Sequence, residues 1–287
     1  MSKKRLGIGF IGGGFITRFH IQSLIGVRDC DVVGVMSRTR ESAEESAKLA
    51  RTTGVGDATA YDTISDMVAD PKIDALWICS PNFARIETFE EIAEAVISGK
   101  GKLVGVTCEK PLGRNVAEAK IVLELTQRAG LLDGYLENQV FAPSVTRGKE
   151  IIWARGAATT GRPYLARAAE EHSGPHMPWF WEGELQGGGV LNDMMCHSVE
   201  EARFMLTEPG KHRESLTPLS VNAYTACLKW QQPKYANILS ENSGGKTDYL
   251  KKPSEDFARS LVEYADEDGN RLVVETTTSW CFVGAGL

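Results

Sequence analysis

Over roughly the first 130 residues, short apolar runs alternate with longer amphipathic ones. RLGIGFIG, CDVVGVMSR, IDALWICSP and GKLVGVTCEKP are apolar nearly throughout and bounded by turn residues. That is the pattern of strands covered on both faces. FITRFHIQSLIG, TRESAEESAKLARTTG, ARIETFEEIAEAVISGK and NVAEAKIVLELTQRAG carry a helical period, and TISDMVADP reads as a shorter helix. Helices between strands imply right-handed parallel crossovers. The spacing therefore predicts an α/β region, a doubly wound Rossmann sheet over residues 1–133.

After LLDGYLENQVF the rhythm changes. VTRGKEIIWARGAA reads as a helix and RPYLARAAEEH as a strand. A Gly/Pro/aromatic loop, SGPHMPWFWEGELQGGG, precedes the helix VLNDMMCHSVEEARFML. Separated strands follow, with DEDGN as a hairpin turn between two alternating runs. Residues 134–287 are expected to form an α+β domain with an open, mostly antiparallel sheet. VVETTTSWCFVGAGL ends as a strand with no closing helix, which would leave an edge unpaired. A partner chain would cover that edge, or the sheet is C-terminally incomplete; the incomplete sheet is the expectation.

Composition narrows the class. A chain of 287 residues with 42% hydrophobic content has ample core for one or two domains. The net charge is −6 and no basic block interleaves with aromatics, which argues against a nucleic-acid partner. MSKKR precedes an apolar run too short and glycine-broken for a signal peptide. No run approaches the roughly 18 apolar residues of a membrane span. None of the six cysteines forms a C-x-x-C pair, and Cys79 and Cys108 lie in apolar strands. Buried reduced thiols in a cytoplasmic protein are expected.

The first candidate chemistry is Gly12-Gly13-Gly14-Phe15-Ile16-Thr17, at the first strand–helix junction. A dinucleotide fingerprint uses its first glycine for the turn and its second to admit a pyrophosphate to the helix N-terminus. Gly12, Gly14, Phe15 and Ile16 would form that site. Thr17, where Gly or Ala is usual, weakens the match, and a plain tight turn is the competing reading. The second strand ends in Ser37-Arg38 and not in a carboxylate. That pair suits a ribose 2′-phosphate and favours NADP over NAD, unless Arg38 is a solvated surface charge.

Pro111 stops the fourth long apolar run, so Lys110 stands at a carboxyl end of the sheet, where it could relay a hydroxyl proton. Asp193 and His197, four apart, share a helix face below Gly187-Gly188-Gly189, which would let the helix start close to a ligand. His197 could take an alcohol proton and Asp193 could bind substrate or orient it. Spacing alone equally allows a surface lysine, a cap-region aspartate and a core histidine. His172, His176, Trp179 and Trp181 could contact a sugar ring or pin the loop to the core; Glu137 and Asn138 are expected to face the same cleft. No metal is expected: Gly174 and Pro175 interrupt His172–His176, and Cys196 and His197 point apart on a helix.

Together, GFIGGGFI, VMSR, ICSPN, CEKPLG and GGGVLNDMMCH resemble the Gfo/Idh/MocA family of glucose–fructose oxidoreductases and inositol dehydrogenases. The resemblance covers most of the chain. It implies NAD(P)-dependent oxidation or reduction of a hydroxyl/carbonyl pair on a sugar, cyclitol or polyol. It implies Lys110, Asp193 and His197 as the catalytic group, His197 as acid–base, and Ser80, Pro81, Asn82, Glu109 and Lys110 beside the cofactor. Homo-oligomers paired through the second sheet, and chains longer by some tens of residues, are also implied. Two positions depart from the pattern: Arg85 stands where a histidine is common after PN, and Val140 where an arginine is common. A non-catalytic NAD(P)-binding or regulatory protein of the same fold is the alternative function.

Overall fold

The computed structural model describes residues 5–282. The chain divides into two compact units, Met1–Leu136 and Glu137–Leu287.

The first unit holds β1 (Leu6–Ile11), α1 (Phe15–Ser23), β2 (Cys30–Met36), α2 (Arg40–Thr53), β3 (Thr59–Tyr61), α3 (Ile64–Ala69), β4 (Ala75–Ile78), α4 (Arg85–Ile97), β5 (Gly105–Glu109), α5 (Val116–Arg128) and β6 (Leu132–Leu136). The strand order is β3-β2-β1-β4-β5-β6, and each neighbouring pair is parallel. This is the doubly wound dinucleotide order, whose switch point lies between β1 and β4. Two cores flank the sheet. Phe10, Val32 and Val35 pack with Ile21 of α1 and Ala43, Ala47 and Ala50 of α2. Ile11, Leu76, Ile78 and Val106 pack with Met67, Phe89, Ile92 and Val122 of α3–α5. Strands buried on both faces explain the unbroken apolar runs. Local chemistry sets the helix starts: Thr39, Thr63 and Asn115 each accept the N–H three residues on.

In the second unit, α6 (Pro143–Ile151) passes through a π-helical stretch, Ile152–Ala157, into α7 (Ala158–Thr160). Then come β7 (Leu165–Glu171), α8 (Gly183–Gln186), a π-helical turn at Leu191–Met195 leading into α9 (Cys196–Leu206), β8 (Thr217–Ala226), α10 (Pro233–Asn242), β9 (Phe257–Ala265) and β10 (Arg271–Ser279). The sheet order is β7-β10-β9-β8. β10 runs parallel to β7 and antiparallel to β9, and β9 is antiparallel to β8, so the sheet is mixed. The 266–270 turn closes the expected hairpin, with Asp266 accepting the N–H groups of Asp268 and Asn270.

The open edge of this sheet lies elsewhere than the strand pattern predicts. The last strand does not leave the open edge: β10 is paired on both sides, and the edges are β7 and β8. The strand pattern shows that β10 exists but not that a parallel partner, β7, arrives from more than a hundred residues earlier. Residues 283–287 lie outside the described residues.

Candidate active site

The residues expected at the cofactor all stand at the carboxyl ends of β1, β2, β4 and β5: most lie in the loops that follow, Phe15 and Ile16 open α1, and Glu109 closes β5. The two glycine runs of the chain show what such loops can do. Gly12 has φ +107°, and a Cβ there would lie 2.7 Å from the Cys79 carbonyl oxygen, so the turn needs a glycine. At Gly13 a Cβ would meet the Ser42 carbonyl at 2.6 Å. The Gly13 carbonyl is braced by the hydroxyls of Ser42 and Ser46. Gly14 has φ −82°, which any residue adopts, and a Cβ there would meet nothing within 4 Å. Neither strain nor protein packing requires that glycine. It opens the N-terminus of α1, whose first turn has no side-chain cap and no acidic residue. Free N–H groups and the positive end of a helix dipole, uncovered, fit a phosphate-bearing cofactor.

The second run answers the opposite way. Gly187 and Gly188 have φ +97° and +144°, and a Cβ on Gly189 would lie 2.0 Å from the Glu255 carbonyl oxygen. The Glu255 carboxylate accepts the N–H groups of Gly189 and Leu191 at 2.7 and 3.2 Å. These glycines bring the helix start close to the protein's own chain, not to a ligand, which corrects that expectation.

Thr17 also reads differently in place. It is fully buried, and its hydroxyl donates to the Gly12 carbonyl at 2.6 Å. The residue that weakens the sequence match therefore ties α1 back to the end of β1, doing by a hydrogen bond what close packing of a third glycine would do. Ser37 is half-buried and Arg38 exposed, just past β2. Ser80 and Asn82 are buried after β4, with Pro81 between them. Glu109 ends β5, 6% exposed, and Lys110 follows, half-buried.

Glu109 has a partner that pattern reading misses. Its Oε1 accepts from His20 Nε2 at 2.6 Å, and both side chains are buried. The His20 ring stacks on Trp77, centroids 4.8 Å apart. These residues lie 89 positions apart, so only the parallel order β1-β4-β5 brings them together.

In the second unit, Asp193 and His197 are both buried, on the π-helical turn and the first turn of α9. The Asp193 carboxylate accepts from Trp280 Nε1 at 3.3 Å. The group that orients His197 is Glu137: its Oε1 lies 2.6 Å from His197 Nδ1 and also accepts the Gln139 N–H at 3.0 Å. The carboxylate acceptor puts a proton on Nδ1 and leaves Nε2 as the basic nitrogen. Glu137, expected to bind substrate, thus acts on the histidine. Asn138 is half-buried beside it. Contrary to the expectation that Cys196 and His197 point apart, these two and Glu137 each place a metal-ligating atom within 4.8 Å of the others. Ligands about 2.0–2.2 Å from a common ion sit near 3 Å apart or more, so the 2.6 Å Glu137–His197 contact is a hydrogen bond.

Trp181, expected to contact the substrate, is instead a core residue. It is 4% exposed, packs edge-on against Trp230 and Tyr249, and donates from Nε1 to the Pro175 carbonyl. No face is left for a sugar ring. Trp179 is half-buried and stacked on Phe180, His176 is exposed, and His172 Nδ1 accepts the Gly174 N–H at 2.9 Å. All six cysteines are free thiols, and burial raises the pKa of Cys79 and Cys108.

Glu201, one turn beyond His197, has its carboxyl pKa raised by desolvation and by the fields of Glu170 and Glu137, partly offset by His197. A raised carboxyl pKa contributes stability that is complete below the unfolded value, near pH 4, and is lost as pH rises through the folded value. Glu201→Gln is therefore expected to raise Tm at pH 8 and to leave it nearly unchanged at pH 4. Equal shifts at both pH values, by calorimetry, would show that Glu201 does not carry this linkage.

One unit is a doubly wound Rossmann sheet with an open glycine loop, and the other holds a carboxylate-oriented histidine; together they define an α/β protein of the dinucleotide-fold class. Residues 6–134 match the model of the oxidoreductase family with an NAD-binding Rossmann fold, and residues 156–284 match the Gfo/Idh/MocA C-terminal domain. The chain belongs to the Gfo/Idh/MocA family. It is 29% identical over 202 residues to a 1,5-anhydro-D-fructose reductase of Ensifer adhaerens, covering 70% of this chain and 56% of that one. It is 27% identical to a myo-inositol 2-dehydrogenase of Thermotoga maritima, covering 70% and 55%. The chain thus spans just over half the length of these relatives. Among solved structures it is similar to GenD2 from gentamicin A biosynthesis in complex with NAD: TM-score 0.72, 24% identity, 99% of this chain and 68% of that one. Among the described residues no helix is long and apolar enough to cross a membrane.

Proposed function

We propose that the protein is an NAD(P)-dependent oxidoreductase that moves a hydride between nicotinamide and a hydroxyl-bearing carbon of a sugar, cyclitol or related polyol. The buried Glu137–His197 pair carries this reading. Burying an ionisable pair is costly, and this one leaves a basic imidazole nitrogen ready, in a chain whose other unit is an NAD-binding Rossmann sheet. Gly12, Gly14, Phe15 and Ile16 would hold the pyrophosphate; Ser80, Pro81, Asn82 and Glu109 would line the nicotinamide side. When bound, the cofactor supplies the hydride acceptor or donor. In the oxidative direction the C–H bond breaks with its electron pair, the hydroxyl O–H bond breaks, and the proton passes to His197 Nε2 as the carbonyl forms. Lys110 polarises the oxygen and relays the proton. Asp193, with Asn138, His172, His176 and Trp179, positions the substrate. Ser37 and Arg38 favour NADP. The long, exposed edge strand β8, with Leu219, Val221 and Tyr224 uncovered, supports a homo-oligomer through this sheet.

The test is reduction of NADP+ and NAD+ over a panel of sugars and cyclitols, with the reverse reaction on their ketones. Turnover of at least one polyol class is expected. Cofactor binding without turnover in either direction would replace the enzyme with a nucleotide-binding protein. Arg38→Ala is expected to weaken NADPH binding about tenfold or more, the value of one charge-assisted bond of about 1.5–3 kcal/mol, and to leave NADH within a few-fold. Equal losses for both would mean that Arg38 does not read the 2′-phosphate.

A further inference from the structure

Lys110 is held by its main chain from two sides. On the amide side, its N–H donates to Glu109 Oε2 at 3.1 Å, and Glu109 is fixed in turn by His20. On the carbonyl side, Arg85 Nη2 donates to the Lys110 oxygen at 3.2 Å. Arg85 is 3% exposed, on the first turn of α4. Its Nε points to the Ser80 carbonyl at 3.4 Å. Both bonds end on main-chain oxygens, one in the loop after β4 and one in the loop after β5.

A buried guanidinium is expensive unless its geometry is needed. The planar fork of arginine fixes two acceptors at a set separation, whereas a lysine offers one point charge on a flexible stem. The two loops it joins are two of those assigned to the cofactor, and one of them carries Lys110. We propose that Arg85 is a positioning residue: it sets the spacing of the Ser80 and Lys110 loops and thereby the place of the Lys110 side chain. This rests on the reading of Lys110 as the proton relay. His20, through Glu109, is the fixed anchor on the other side.

Two measurements on Arg85→Lys, which keeps the charge and removes the fork, test this. The first needs no substrate. The protein is reductively methylated with 13C-formaldehyde and the dimethyl-lysine signals are recorded by NMR, with Lys110→Arg giving the assignment. In the parent the Lys110 signal is expected apart from the exposed-lysine envelope; in Arg85→Lys it is expected to move into it. An unchanged signal overturns the proposal. The second is a double-mutant cycle on hydride transfer with a polyol the parent oxidises. Arg85→Lys is expected to lower kcat at least about tenfold, with KM and NADPH affinity within a few-fold. In the Lys110→Ala background it should cost less than about twofold, because residues acting through one another are not additive. Full additivity with a slow Lys110→Ala enzyme sinks the role of Arg85 and leaves that of Lys110. A Lys110→Ala enzyme at full rate sinks the catalytic reading of Lys110, and the NMR result then decides alone whether Arg85 sets its place.

Discussion

Lys110→Ala is expected to lower turnover about 100-fold or more and to leave NADPH affinity within a few-fold. Acid–base assistance by one positioned side chain is worth roughly 10²–10⁴ in rate. The alanine removes the ammonium and keeps the main chain, which Glu109 and Arg85 hold through the amide and carbonyl of residue 110. The cofactor loops therefore keep their place, and the loss belongs to kcat. A variant at the parent rate would remove Lys110 from the mechanism. A variant slow only because NADPH no longer binds would make it a cofactor ligand instead.

Gly14→Val is expected to weaken both NADPH and NADH about 100-fold and to leave the fold intact. The side chain enters space that no protein atom occupies, at a φ that valine adopts. It would stand over the α1 N-terminus and displace the phosphate from one or two N–H groups. At about 1.5–3 kcal/mol for each charge-assisted bond, losing two gives about a factor of 100 or more. Gly12→Val is the control with the opposite signature. At φ +107° and against the Cys79 carbonyl it loses stability, on the order of 1–3 kcal/mol for the strained backbone alone. If Gly14→Val keeps full cofactor affinity, the loop is a turn and no more.

Much of the first unit is legible in the sequence because its signals are local. The apolar runs of β1, β2, β4 and β5 are short and covered on both faces, and α2, α3 and α5 begin at Thr39, Thr63 and Asn115, which cap them. β3 escapes notice, since three residues carry no period. In the second unit α10 is missed: Pro233 opens it in a stretch of mixed polarity between strands, and two of its residues are buried. The 190–206 helix is legible, but the π-helical turn carrying Asp193 is not, because 4- and 5-residue spacings blur in so short a run.

The site is legible in residue type and less so in partnership. Lys110 and the glycine loop stand out by chemistry at a predicted element end, and His197 by its spacing from Asp193 on a predicted helix. The His20–Glu109 and Glu137–His197 pairs span 89 and 60 residues, and no periodicity reports a contact at that range. Aromatic residues give the least direction: Trp179 and Trp181 are two apart in one loop, yet Trp181 is core and Trp179 half-buried. Gly12–Gly14 and Gly187–Gly189 look alike as letters. They differ in what lies opposite, open space at Gly14 and the Glu255 backbone at Gly189.

The most direct test of the account is a fluorescence titration of the purified chain with NADPH and, separately, with NADH, its fold monitored by circular dichroism. Saturable binding of both, tighter for NADPH, is the predicted result. A folded chain that binds neither would contradict the account, because the open N-terminus of α1 would then hold no dinucleotide.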